Sequence, residues 1–284
     1  MALPKKTLWR GFAAAAAVLL ATTLTACSTD TNAVDPNTED KIITLTEGKL
    51  TIGTGNPAYS PWVIDDKPES GEGFEAAVAY AVAEKLGFAA EDVIWVRTNF
   101  EEAIAPGVKN FDFNLQQYSI TEERRANIDF STPYYETAQV VVTVSSSPAA
   151  SATSIADLQG YLIGAQTGTT SYKAIGDVIK PTQDALAFNT NEDAKAALTN
   201  GQVDAIVLDF PTAYYEANFG LEGGKIVGQL PTAGKGDQFG LVLDKGSKLT
   251  AAVSKALDDL RADGTLARLE EQWLTADAGV PVLK

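Results

Sequence analysis

Lys49-Leu50-Thr51-Ile52-Gly53-Thr54-Gly55 is a β-rich run; beyond a loop, Phe74, Ala77, Val78, Ala81, Val82 and Leu86 recur at helical spacing until Gly87 supplies a stop. Reading outward, residues 92–98 predict the next strand, 100–105 a short helix and 111–120 a third strand. A helix over 121 to about 127 follows at once. Strand, helix and strand repeated with short connections predict an α/β fold, a parallel sheet with crossover helices.

A second series starts after the Ser-, Ala- and Pro-rich stretch at 145–151, which reads as a loop. Residues 161–166 predict a strand, 171–179 a helix, 185–189 a strand and 191–199 a helix capped by Asn191. Strands over 203–209 and 226–230 complete a second small sheet. Residues 238–243 give one more strand, and Leu249, Val253, Ala256, Leu257 and Leu260 line one face of a long helix. Thr265 is expected to cap a last helix ending near Trp273. Two sheets of this size predict two lobes with a ligand cleft between them. Periodicity does not decide which lobe takes the last strand and helices.

The N-terminus is of another kind. Lys5, Lys6 and Arg10 precede an apolar, Ala-rich stretch from Gly11 to Leu24, and small residues lead to Cys27. The leader resembles a bacterial lipoprotein signal, which implies a signal peptide over 1–26 and a lipid on Cys27. An ordinary secretory leader and a short membrane span are the alternatives, and the apolar stretch is shorter than the roughly 20 residues a spanning helix needs. Residues 28–40 are polar and read as a flexible tether. No later segment is long and apolar enough to span, so the lipid would be the sole anchor of a body working just outside a membrane.

Composition removes much chemistry. The chain has no histidine and one cysteine, Cys27, which excludes His- or Cys-ligated zinc, Ser-His-Asp triads, thiol nucleophiles and structural disulfides. No metal or cofactor is implied. The formal charge is −15, and the leader holds only positive side chains, so the rest is more acidic still. Such a body argues against nucleic-acid binding and fits solubility at a surface.

Several segments resemble the polar amino-acid branch of the extracytoplasmic solute-binding proteins of ABC importers, solute-binding family 3. They are Ile52-Gly53-Thr54 through Pro61-Trp62, with Gly71-Glu72-Gly73-Phe74-Glu75 opening a helix; Phe111-Asp112, Ser119-Ile120-Thr121-Glu122-Glu123-Arg124 and Asp129-Phe130-Ser131-Thr132-Pro133-Tyr134; and Gly164-Ala165-Gln166-Thr167-Gly168-Thr169-Thr170-Ser171 with Val203 to Asp209 further on. The tail from Ala262 to Trp273 also fits. The resemblance runs from Lys49 to Leu274 and implies a two-lobe, type II periplasmic-binding-protein fold whose chain crosses twice between lobes. Lobe 1 would be 41–137 plus 236–284, and lobe 2 138–235. It further implies an amino-acid ligand, permease subunits with a cytoplasmic ATPase as partners, a monomer, and a place on the outer face of the bacterial cell membrane.

Each matched residue also has a physical reading. Arg124 opens a helix after Ser119, where a guanidinium can face the cleft and grip a carboxylate through two parallel hydrogen bonds. It resembles the family's clamp on the ligand α-carboxylate; a surface ion pair with Glu122 or Glu123 is the alternative, for which Arg125 is the better candidate. Thr169 and Thr170 lie where a strand turns into a helix, as caps, as carboxylate ligands, or as both. Asp209 ends an apolar strand before Pro211, and resembles the family's partner for the α-ammonium; capping is the alternative. Ser119 would add a hydrogen bond. Tyr59 and Trp62 are placed to cover a ligand side chain, or belong to the core. At Gln116-Gln117-Tyr118 the pattern departs from the family's small residues, so Gln116 or Gln117 would shape a polar subsite. The expected ligand is a polar or uncharged amino acid.

The pairs Glu101-Glu102, Glu122-Glu123 and Glu270-Glu271 splay around their helices, and the glycine-lysine runs at 223–225 and 234–236 lack phosphate-loop spacing. An enzyme on the same scaffold, a dehydratase of prephenate-like acids, would need Glu75 or another carboxylate as acid or base. A ligand sensor is the other alternative.

Overall fold

The computed structural model describes residues 42–232, 234–274 and 279–284; the leader, Cys27 and the tether lie outside them. β1 (Leu50–Gly55) is buried at every position, as expected of a strand covered on both faces. It pairs in parallel with β2 (Val93–Thr98) and with β3 (Phe113–Asn114). β4 (Ile128–Thr137) and β10 (Asp237–Asp244) complete a five-stranded sheet in the order β2-β1-β3-β10-β4, in which β10 alone runs against its neighbours. The second sheet holds β5 (Gln139–Val144), β6 (Ile163–Gln166), β7 (Leu186–Phe188), β8 (Ala205–Asp209) and β9 (Gly224–Gln229) in the order β7-β6-β8-β5-β9, with β5 reversed. In both sheets the reversed strand is the one whose chain has just arrived from the other sheet.

Helices cover the sheets. α1 (Phe74–Lys85), α8 (Thr250–Ala262) and α9 (Thr265–Trp273) pack with Leu50, Ile52, Leu241 and Leu243 on one face of the first sheet. α2 (Phe100–Ile104) meets Phe111, Tyr118 and Phe130 in a separate cluster, and α3 (Glu122–Arg125) leads into β4. The second sheet has α4 (Ile155–Leu158) and α5 (Thr170–Ala174) in one cluster, α6 (Asn191–Thr199) and α7 (Phe210–Tyr215) in another. Among the described residues no helix is long and apolar enough to cross a membrane.

Four local expectations change. The strand predicted over 111–120 shrinks to two residues, and Gln117 takes a left-handed conformation (φ 51°) that interrupts the extended run before Ser119. Asn191 is the first helical residue of α6, and Thr190 caps it by accepting from the Asp193 amide at 3.0 Å. Thr265 likewise stands inside α9, after Gly264 at φ 80°. The last described residues, expected with lobe 1, lie against the second sheet: Val282 bridges Gln229, Leu283 is buried in the second core, and the Lys284 carbonyl accepts from the Ile155 amide at 3.0 Å.

Candidate ligand-binding cleft

The hinge sets the site. β4 passes directly into β5 through Ala138, and the return runs from β9 into β10. The two crossings pack closely enough that a side chain at Gly236 would meet the Thr137 carbonyl. A chamber opens beside them, lined from the first lobe by Tyr59, Gln117, Ser119 and Arg124 and from the second by Thr169, Thr170 and Asp209.

Arg124 is buried, held in the first turn of α3 by the Thr121 cap. Its guanidinium lies over the Phe100 ring, 5.3 Å from the centroid, and Phe100 in turn stacks on Tyr118 at 4.8 Å. Nη1 donates to the Ser119 carbonyl at 2.7 Å, and Nη2 reaches across the cleft to the Gly168 carbonyl at 2.9 Å. Desolvation lowers its pKa from the ordinary value, so the site holds a cation at a cost that an anion beside it would offset. Opposite it, Thr169 caps α5 through the Tyr172 amide, leaving Thr170 and Ser171 in the first turn, where amides have no intrahelical acceptor. Ser119 Oγ and Thr170 Oγ1 meet at 3.1 Å across the cleft.

Asp209 stands at the N-cap position of α7, yet its side chain makes no capping bond. It accepts instead from Gln139 Nε2 at 2.8 Å, and the same nitrogen donates to Asp237 at 2.8 Å. Burial pushes the Asp209 carboxyl up to about 8, with the Asp237 charge adding to the rise; Gln139 and Arg124 oppose it.

Next to this chamber and sharing Tyr59, Phe100, Gln116 and Gln166 with it lies an outer cavity of about 290 Å³. Asn56, Asn99 and Asn189 add amides to its wall, and Glu101 is its acid. Trp62 reaches neither space: it is fully buried among Phe74, Tyr135 and Phe239, and its indole N–H donates to Thr212 at 2.9 Å. Gln117 lines the chamber, but its backbone and side-chain N–H groups both donate to Glu75. Glu75, the carboxylate the enzymatic alternative names, is buried there with the Tyr134 hydroxyl, and desolvation raises its pKa to about 7. Phe100, Gln139 and Asp237 were not singled out from sequence, and Asn191, which lines the chamber, was read only as a helix cap. Only their polar or aromatic character beside strand ends marks them, and that signal is weak without the register.

The sequence profile of bacterial extracellular solute-binding proteins, family 3, matches residues 50–276, and the chain belongs to that family. A probable histidine-binding protein of Campylobacter jejuni is 30% identical over 222 residues, spanning 76% of this chain and 80% of its own. The L-arginine-binding protein of Pseudomonas aeruginosa is 27% identical over 232 residues, 78% of this chain and 86% of its own. Among solved structures, an ancestral arginine-binding protein bound to arginine matches with a TM-score of 0.67 at 33% identity, over 80% of this chain and 99% of the other. Two five-stranded sheets flanked by helices and joined by paired crossings are the type II periplasmic-binding-protein fold.

Proposed function

We propose that this protein captures a free amino acid between its lobes and presents it to the permease of an ABC importer, held at the outer face of the cell membrane by a lipid on Cys27. The observation that carries the reading is one buried guanidinium, Arg124, facing the first turn of α5 across a chamber that also holds Asp209. A zwitterion's carboxylate takes Arg124 with the Thr169-Thr170-Ser171 turn, and its ammonium takes Asp209. Because the two lobes supply different members of this set, a ligand that touches all of them binds the closed form better than the open one, and the permease reads that difference.

The outer cavity supports a side-chain preference. Its amides and the single Glu101 favour a polar side chain over an aliphatic one. Calorimetric titration of the purified protein against the twenty L-amino acids tests the reading. Tight binding of one or a few polar members supports it; silence with all twenty sinks it. Metabolic labelling with a fatty acid, lost in Cys27→Ser, tests the anchor.

A further inference from the structure

We propose that Asp237, the first residue of β10, is a second binding residue for the ligand's ammonium, acting beside Asp209. This deepens the amino-acid reading above and rests on it.

Register places the two carboxylates together. Asp209 pairs with Gln139, and Asp237 pairs with Thr137, two residues earlier on the chain that runs from β4 into β5. Side chains two apart along an extended chain share a face, so Asp237 and Asp209 arrive on one side of the hinge although they belong to different sheets. Both lie 2.8 Å from a single nitrogen, Gln139 Nε2. Thr170 Oγ1 is a third neighbour of that nitrogen, at 3.3 Å. An amide nitrogen has two N–H groups, so it cannot satisfy all three oxygens fully.

The amide is itself incomplete. Gln139 is 5% exposed, and its Oε1 is buried without a hydrogen-bond partner. An orphaned buried acceptor is costly, and a donor brought by a ligand would satisfy it. A primary ammonium is that donor: three N–H groups, no acceptor and a positive charge. One hydroxyl contact ties Asp237 to the rest of the site, since Ser119 Oγ lies 3.4 Å from Asp237 and Ser119's carbonyl accepts from Arg124.

Charge leads to the same assignment. The cluster has one guanidinium and two carboxylates, and the second carboxylate contributes to the raised pKa of the first. A cation between them removes that repulsion. The ammonium is then gripped from both lobes, as the carboxylate is by Arg124 and the α5 turn.

The test compares two ligands on three proteins. Wild type, Asp237→Asn and Asp237→Ser are titrated with the tightest-binding of the twenty amino acids, and with its α-deamino acid by competition against it. Thermal melts check that each variant is folded, and the serine variant stands in if the asparagine one is not. The expected result is a loss of about 10- to 100-fold for the amino acid and no loss for the deamino acid. Unchanged affinity for the amino acid overturns the assignment, and so does an equal loss for both ligands, which marks a structural role. If wild type binds none of the twenty, the amino-acid reading fails first and this assignment falls with it.

Discussion

Trp62 of the first lobe donates its indole N–H to the hydroxyl of Thr212 in the second, 2.9 Å away. The ring itself is core, packed against Phe74, Tyr135 and Phe239 with centroids 5.7–6.0 Å away. An aromatic cluster that belongs to one lobe thus ends in a polar contact with the other.

Breaking that contact from either side has different costs. Thr212→Val leaves a buried N–H without an acceptor and is expected to destabilise the protein by about 1–3 kcal/mol. Trp62→Phe also thins the core. In the double variant the threonine change adds little, because no donor remains to be orphaned. Denaturant unfolding of the four proteins measures the coupling, and additive losses would show that the hydrogen bond contributes nothing.

On the proposed reading, Arg124 serves binding more than stability. Its burial already disfavours the charged form, while its acceptors in the protein are two backbone carbonyls. Arg124→Met keeps length and apolar contact with Phe100 but removes the bidentate donor. The expected outcome is at least about a hundredfold loss of amino-acid affinity with a small change in melting temperature. A large melting loss with affinity retained would reverse that assignment.

Asp209 gives opposite pH signs for binding and for folding. With burial holding its carboxyl at about 8, Asp237 and Glu75 adding to the rise and Gln139 and Arg124 opposing it, the free protein holds a proton there at neutral pH. An ammonium needs the ionised form, so affinity should rise by up to about tenfold per pH unit from 6 to 8 and then level. Titrations at stepped pH measure this, with proton release seen as a dependence of the heat on buffer.

For folding, the native state binds a proton that an unfolded aspartate, near 3.8, has already lost. Stability is therefore greatest at low pH with respect to this group, and declines as pH rises from about 4 to about 8. Asp209→Asn should melt higher than wild type at pH 8, match it near pH 4, and bind amino acid weakly throughout. Equal melting temperatures at pH 8 would mean the carboxyl is not held up by burial.

The alternating strands and helices were legible because their signals are local. The β-rich run at 50–55 and the periodic residues of α8 are buried by patterns within one element, whereas in α1 and its C-cap Phe74, Val78 and Val82 are buried and Ala77, Ala81 and Leu86 only partly so. Residues 128–144, which form β4 and β5, carry no strand assignment in the sequence reading; Pro133 lies within β4, where an edge strand with a register shift beside that residue tolerates it. Arg124, Asp209 and the Thr169-Thr170 turn stood out through the family resemblance, with strand ends and caps as supporting marks. Asp237 and Gln139 had none, since their meeting depends on how one crossing lies beside the other. Trp62 and Tyr59 look alike in sequence, and only packing separates a core ring from one at the cleft.

The seating of the tail on the second sheet makes the chain a molecular ruler. Ile42 packs on the core of the first lobe, and exposed Ile43 lies next to it; Lys284, also exposed, is fastened to Ile155 of the second. Fluorophores at positions 43 and 284 therefore ride on different bodies, and energy transfer between them would follow ligand capture with neither dye inside the cleft.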